Sequence, residues 1–180
     1  MRIGYKIVSF ILVYISVFNT QTHAQMKQIF VDGGVELTVP DTLKLRPRVG
    51  NTDLGDIILY QYYLRKEIHG QIVKFAFQFC DYPEGTLHHD SLELIQLFYE
   101  ATAEESAKSV LGKLEYSSTV DILGYPGLVW RVSFDKDKGL IKSKAFVKGR
   151  RYYNLKVEYP RKMSLDPVID QFLDSIKWIE

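Results

Sequence analysis

The stretch from Leu123 to Tyr159 constrains the fold more than any other part of this 180-residue chain. Its side chains alternate with the period of a β-strand. Leu128, Trp130, Val132 and Phe134 fall on one side, and Val129, Arg131 and Ser133 on the other. Ile141, Ser143, Ala145 and Val147 oppose Lys142, Lys144, Phe146 and Lys148. Tyr153, Leu155, Val157 and Tyr159 oppose Tyr152, Asn154, Lys156 and Glu158. Short connections at Asp135–Leu140 and around Gly149 turn these runs into an antiparallel meander. If one face is buried, its apolar sets must stay in register. That places Val147 opposite Tyr153, Ala145 opposite Leu155, Ile141 opposite Tyr159 and Phe134 opposite Ile141. The loop is then three residues, Gly149-Arg150-Arg151.

The same register predicts a basic outer face. Arg131 falls opposite Lys144, and Lys144 opposite Lys156, with Lys142, Lys148 and Arg150 nearby. Like charges abreast repel. An acid from another segment, a bound anion, or hydration of splayed side chains must offset them. Phe146 and Tyr152 stand beside these cations. The candidate binding residues are therefore Arg131, Lys142, Lys144, Phe146, Lys148, Tyr152 and Lys156. Their partner would be a protein or an anionic ligand.

The N-terminus reads as an export signal. Arg2 and Lys6 precede an apolar run from Ile7 to Phe18, and Thr22-His23-Ala24 supplies small residues before Gln25. The expected division is a signal peptide over 1–24 and one domain over 25–180. The apolar run spans about 18 Å as a helix, against roughly 30 Å of bilayer hydrocarbon. Cleavage is thus expected, with no membrane span afterwards and a secreted or periplasmic location. A single cysteine, Cys80, permits no internal disulfide. A formal charge of +1 gives no reason to expect nucleic acid as a partner.

Upstream of the meander, Gln28–Val31 and Val35–Val39 read as a short hairpin closed by Pro40. Lys44, Arg46 and Arg48 alternate with Leu43 and Leu45, so part of the segment 41–55 reads as an edge strand, where Pro47 is tolerated. A long hairpin follows, Asp56–Lys66 and Gln71–Cys80, turning at His69-Gly70. A two-residue turn pairs Leu64 with Phe75, Tyr62 with Phe77 and Tyr60 with Phe79.

Cys80, Asp81, His88, His89 and Asp90 gather at the next break. Zinc needs three or four convergent ligands. Adjacent histidines on an extended chain point apart, so no metal site is expected. Asp90 reads as a helix N-cap, with Glu93 completing a capping box. Cys80 reads as an inert thiol at a strand end. An enzyme built here would need Cys80, Asp81 and His88 together in a pocket.

Ser91–Leu111 has helical periodicity, with Gly112 as its stop. Its apolar stripe shifts near Thr102, which predicts a kink or a restart there. Leu94, Leu97 and Phe98 are either covered by this chain or exposed as a contact patch. Lys113–Leu123 reads as a strand, and Gly124-Tyr125-Pro126-Gly127 as a tight turn. Ser164–Ser175 closes the chain as a helix, with Trp178 packing its end on the sheet.

This order of elements resembles the PsbP-like superfamily. The Leu123-Gly-Tyr-Pro-Gly127 turn, the Arg151-Tyr-Tyr-Asn-Leu155 strand and the Gln171-Phe-Leu-Asp-Ser-Ile176 ending carry the resemblance, which runs from about Phe30 to Trp178. It implies an antiparallel sheet with helices packed around it, and a non-catalytic accessory, assembly or binding role. The expected architecture is α+β: an antiparallel sheet of about six to seven strands, one long helix and a C-terminal helix. The expected function is an exported, non-enzymatic protein without a cofactor that docks a partner or anion through the basic sheet face. A small-molecule carrier is the alternative, and it requires a cavity between sheet and helix. An enzyme using residues 80–90 is the third reading.

Overall fold

A computed structural model describes residues 26–31, 34–52 and 55–179. The expected leader lies outside them. Among the described residues, ten strands form two antiparallel sheets, and two helices pack on them. No helix among the described residues is long and apolar enough to cross a membrane.

The small sheet comprises β1 (Lys27–Val31), β2 (Val35–Val39) and β10 (Lys177–Trp178), in the order β1-β2-β10. The main sheet comprises β3 (Lys44–Thr52), β4 (Gly55–Ile68), β5 (Gln71–Asp81), β6 (Lys113–Ile122), β7 (Tyr125–Phe134), β8 (Gly139–Lys148) and β9 (Arg151–Pro160). Its order is β3-β4-β5-β9-β8-β7-β6. The helices are α1 (Leu92–Lys108) and α2 (Pro167–Leu173). The architecture is therefore α+β, with one more sheet than the sequence suggested.

The β4–β5 hairpin has the expected register, Leu64 with Phe75, Tyr62 with Phe77 and Tyr60 with Phe79. His69 and Gly70 both take positive φ, 49° and 69°, so the turn twists with its strands. β3 lies on the sheet edge, which leaves room for Pro47.

The main sheet is covered on both sides. Phe75, Phe77, Leu155 and Val157 face α2 and the small sheet, where they meet Leu37, Ile169 and Phe172. Trp130, Ile141, Val147 and Tyr152 face α1, where they meet Ile95, Tyr99, Ala103 and Ala107. These are the α2 face and the α1 face of the sheet.

This double cover changes the meander. Val147 pairs with Tyr152, Ala145 with Asn154 and Ile141 with Glu158. The expected partners were Tyr153, Leu155 and Tyr159, so β9 is displaced by one residue and its faces are exchanged. The loop is two residues, Gly149-Arg150, with Gly149 at φ 60°. A glycine in the first position of a two-residue turn matches the twist of the hairpin. Phe134 pairs with Gly139, not Ile141. A Cβ at Gly139 would fall 2.4 Å from the Phe134 ring.

Several local expectations also change. The turn before β7 is Leu123-Gly124, at φ 56° and 83°, and Pro126 and Gly127 lie within β7. α1 runs unbroken through Thr102, whose hydroxyl donates to the Phe98 carbonyl at 2.7 Å rather than starting a new helix. Its buried line steps by four from Ile95 to Ala107, and the small alanines let it approach the sheet. Leu94 and Leu97 remain 43% and 59% exposed, so only Phe98 of that trio is covered. Ser91 rather than Asp90 takes the N-cap position, without a side-chain cap. At the other end Leu111, not Gly112, is the left-handed residue. α2 begins at Pro167 rather than at Ser164, with Pro167 in its first turn as expected, and the Asp166 side chain caps Val168 N–H.

Candidate functional site

The displaced register takes the predicted row of cations apart. Arg131, Lys142 and Lys144 lie on the α2 face, whereas Lys156 and Tyr152 lie on the α1 face. Acids from other segments offset the first group. Lys142 Nζ donates to Asp170 at 2.6 Å and Lys144 Nζ to Asp174 at 2.8 Å, both acids on or beside α2. Arg131 Nε donates to Glu115 of β6 at 2.6 Å, and Glu115 also holds Arg161. Lys148 Nζ sits 3.7 Å from the centre of the Trp178 ring. Phe146 is wholly buried between Tyr153 and Trp178, so it presents no surface.

Lys156 and Tyr152 instead border a cleft between α1 and the sheet. The cleft has a volume of about 710 Å³. Its floor comes from alternate positions of four strands: Ile57 and Leu59 on β4, Gln78 and Cys80 on β5, Trp130 on β7, and Tyr152, Asn154 and Lys156 on β9. Phe98, Ala101, Thr102 and Glu105 of α1 overlook it. Phe98 stands edge-on to Tyr152 at 5.3 Å and to Tyr82 at 5.4 Å.

The floor holds polar atoms that have no hydrogen-bond partner among the described residues. Trp130 Nε1, Tyr152 OH and Asn154 Oδ1 are buried without hydrogen-bond partners, as is Ser143 Oγ beside Trp130 and Lys156 in the sheet. Buried polar groups are usually paired, so four orphans on one face call for an explanation. Burial raises the Tyr152 phenol well above its ordinary pKa, aided by Tyr82, Cys80 and Tyr99. Burial also pulls the Lys156 ammonium below its ordinary value, although Glu158 pulls the other way.

Residues 80–90 do not assemble a nucleophile. Burial and then the Asp81 charge push the Cys80 thiol up to about 12, which leaves it protonated at neutral pH. Asp81 is held by Arg151 through bonds of 2.7 and 2.6 Å. That pairing, foremost, keeps its carboxyl below the usual range. His88 is engaged with Asp90 at 3.2 Å.

The two histidines converge rather than diverge, because the segment turns instead of running extended. Their rings are 4.4 Å apart, and ligand atoms of His88, His89 and Asp90 lie within 4.8 Å of one another. However, His89 Nδ1 accepts the Gly149 N–H at 3.1 Å, and His88 Nδ1 lies 3.2 Å from Asp90 Oδ2 and 3.4 Å from the Asp90 backbone nitrogen. Both Nδ1 atoms are therefore already engaged within the chain.

No protein-family model matches the sequence, and no curated protein is significantly similar to it. Among solved structures, the chain is similar to the solution structure of cyanobacterial PsbP (CyanoP) from Synechocystis sp. PCC 6803. The TM-score is 0.52 at 11% identity, over 91% of this chain and 98% of that one. The fold is PsbP-like. At that identity the likeness concerns the fold and nothing further.

Sequence reasoning missed one part of the charge on this fold. Lys44, Arg46 and Arg48 pair with Tyr63, Gln61 and Leu59, which places them on the α1 face with Lys156. All three are exposed, and Arg46 lies over the Tyr63 ring at 5.4 Å. Their alternation was visible, and the register of the aromatic hairpin fixed the parity of β4. The pairing of β3 with β4 was the missing link.

Proposed function

We propose that this protein is an exported, non-enzymatic binding protein that holds a small, largely apolar molecule between α1 and the main sheet. The cleft carries this reading. Its volume of about 710 Å³ lies within the roughly 300–1,000 Å³ of small-molecule sites. Indole and aliphatic groups would supply most of the contact. The orphaned atoms of Trp130, Tyr152 and Asn154 would fix the ligand's orientation.

A binding role needs no activated group, which fits a protonated Cys80 and an Asp81 engaged by Arg151. The leader-like residues 1–24 support export. Docking through the basic sheet face has lost its support, since Lys142, Lys144 and Arg131 already have acids.

Uptake of a neutral solvatochromic dye tests the reading. The native protein should bind the dye saturably. Ala101→Trp, at an exposed helix position overlooking the cleft, should abolish uptake and leave the unfolding midpoint unchanged. Equal uptake by both proteins would place the dye elsewhere and refute the cleft.

A further inference from the structure

The polar groups of the cleft are unbalanced. Trp130 Nε1 can only donate, the Lys156 ammonium can only donate, and Tyr152 can do either. Asn154 Oδ1 is the one orphan that can only accept. Lys156 is half-buried on β9, with Ser143 on one side and Ala76 on the other. Among the described residues it has no carboxylate in ion-pair contact. Glu158, the acid that acts on it, is already held by Lys74. Glu105 stands exposed on the rim.

Arg48 and Lys74 add positive potential at Lys156. Lys44 and Arg46 extend it along the same face of β3. The Lys156 end of the cleft is therefore cationic, while the part under α1 is aromatic and aliphatic. Charges taken out of water call for a counter-charge. One lone ammonium, with no arginine fork lining the cleft, suits a monoanion better than a phosphate.

Resting on the reading that the cleft holds a ligand, we propose that this ligand is an amphipathic carboxylic acid. Its carboxylate meets the Lys156 ammonium, and its apolar body lies under α1 against Trp130 and Phe98. The exposed β3 cations would draw the anion toward the opening.

Matched pairs of acid and methyl ester, with aliphatic and aromatic bodies (decanoate and indole-3-acetate among the acids), test this by calorimetry. For at least one pair, the acid should bind the native protein about tenfold or more tightly than its ester, the usual worth of a charge-assisted bond. Lys156→Met should erase that preference, keep the ester affinity, and leave the protein folded by circular dichroism. If acid and ester bind alike and Lys156→Met alters neither, the cleft still binds ligands but the carboxylate assignment is overturned. If no member of any pair binds, the cleft reading itself falls.

Discussion

The two faces of the main sheet are built to different ends. On the α2 face, rings pack against rings, with Phe146 and Tyr153 at 4.9 Å and Phe75 and Phe172 at 5.3 Å. Its lysines have acids, Asp170 for Lys142 and Asp174 for Lys144. On the α1 face, the helix touches down through Ala103 and Ala107 and leaves a cleft beside Phe98. Among the described residues, polar atoms there have no hydrogen-bond partner, and a half-buried lysine has no carboxylate in ion-pair contact. One face spends its sequence on stability, and the other keeps space and unmet bonds. Substitutions on the α2 face should therefore cost stability, and those on the α1 face should cost binding.

The largest expected difference is between two aromatic residues. Phe77→Ala, in the centre of the α2 face, should cost about 3–5 kcal/mol by urea unfolding. Trp130→Phe, which removes part of a buried ring but also an unpaired indole N–H, should cost less, about 1–2 kcal/mol. Equal losses would erase the distinction between the faces.

A smaller effect is expected at Gly127, where a Cβ would fall 2.5 Å from the Ala145 carbonyl and 2.6 Å from Ile122 Cδ1. Gly127→Ala should cost about 1–3 kcal/mol by overpacking, read as a lower thermal midpoint. An unchanged midpoint would mean that β7 and β8 are less tightly packed than described.

Lys156→Met sharpens the comparison by its sign. It should be neutral or stabilising by on the order of 1 kcal/mol, since it removes a desolvated, unpaired charge. The gain should depend on pH. Below its depressed folded pKa, Lys156 is charged in both states and the full cost of burying it is present. As pH rises through that value toward the ordinary 10.5, the folded state releases its proton first and the cost fades. The native protein and the variant should therefore converge in stability at alkaline pH. A constant gap would mean that Lys156 is better solvated than the structure indicates.

The smallest effect belongs to the exposed ends of the α2-face pairs. A double-mutant cycle on Lys144 and Asp174 should give about 0.2–1 kcal/mol and weaken with salt. A coupling of several kcal/mol would make that pair a structural lock.

The sequence was most readable where a turn and a stripe agreed. The register of the aromatic hairpin was correct, because His69-Gly70 and the alternation of Tyr60, Tyr62 and Leu64 specify one pairing. β9 was misread because both of its sides are buried. Tyr153, Leu155 and Val157 meet one core, and Tyr152 enters the other. Parity then no longer identifies the inner face, and only the Gly149 turn decides the slip. Tyr152 and Lys156 were singled out, but for a surface that does not form. The cleft was illegible because it depends on how far α1 stands from the sheet, which periodicity does not encode. The kink predicted at Thr102 was the trace of that same feature: a helix whose apolar stripe is interrupted where it overlooks space.

Two tryptophans, Trp130 and Trp178, let one experiment compare the faces directly. Trp130 Nε1 lies unpaired in the cleft floor, whereas Trp178 packs on the α2 side against Phe146 and Tyr153 at 5.8 and 5.6 Å. Titration of an amphipathic carboxylate followed through the two indole N–H resonances should move the Trp130 signal saturably and leave Trp178 in place. A titration in which Trp130 stays fixed, or in which Trp178 alone responds, would contradict a ligand site beneath α1.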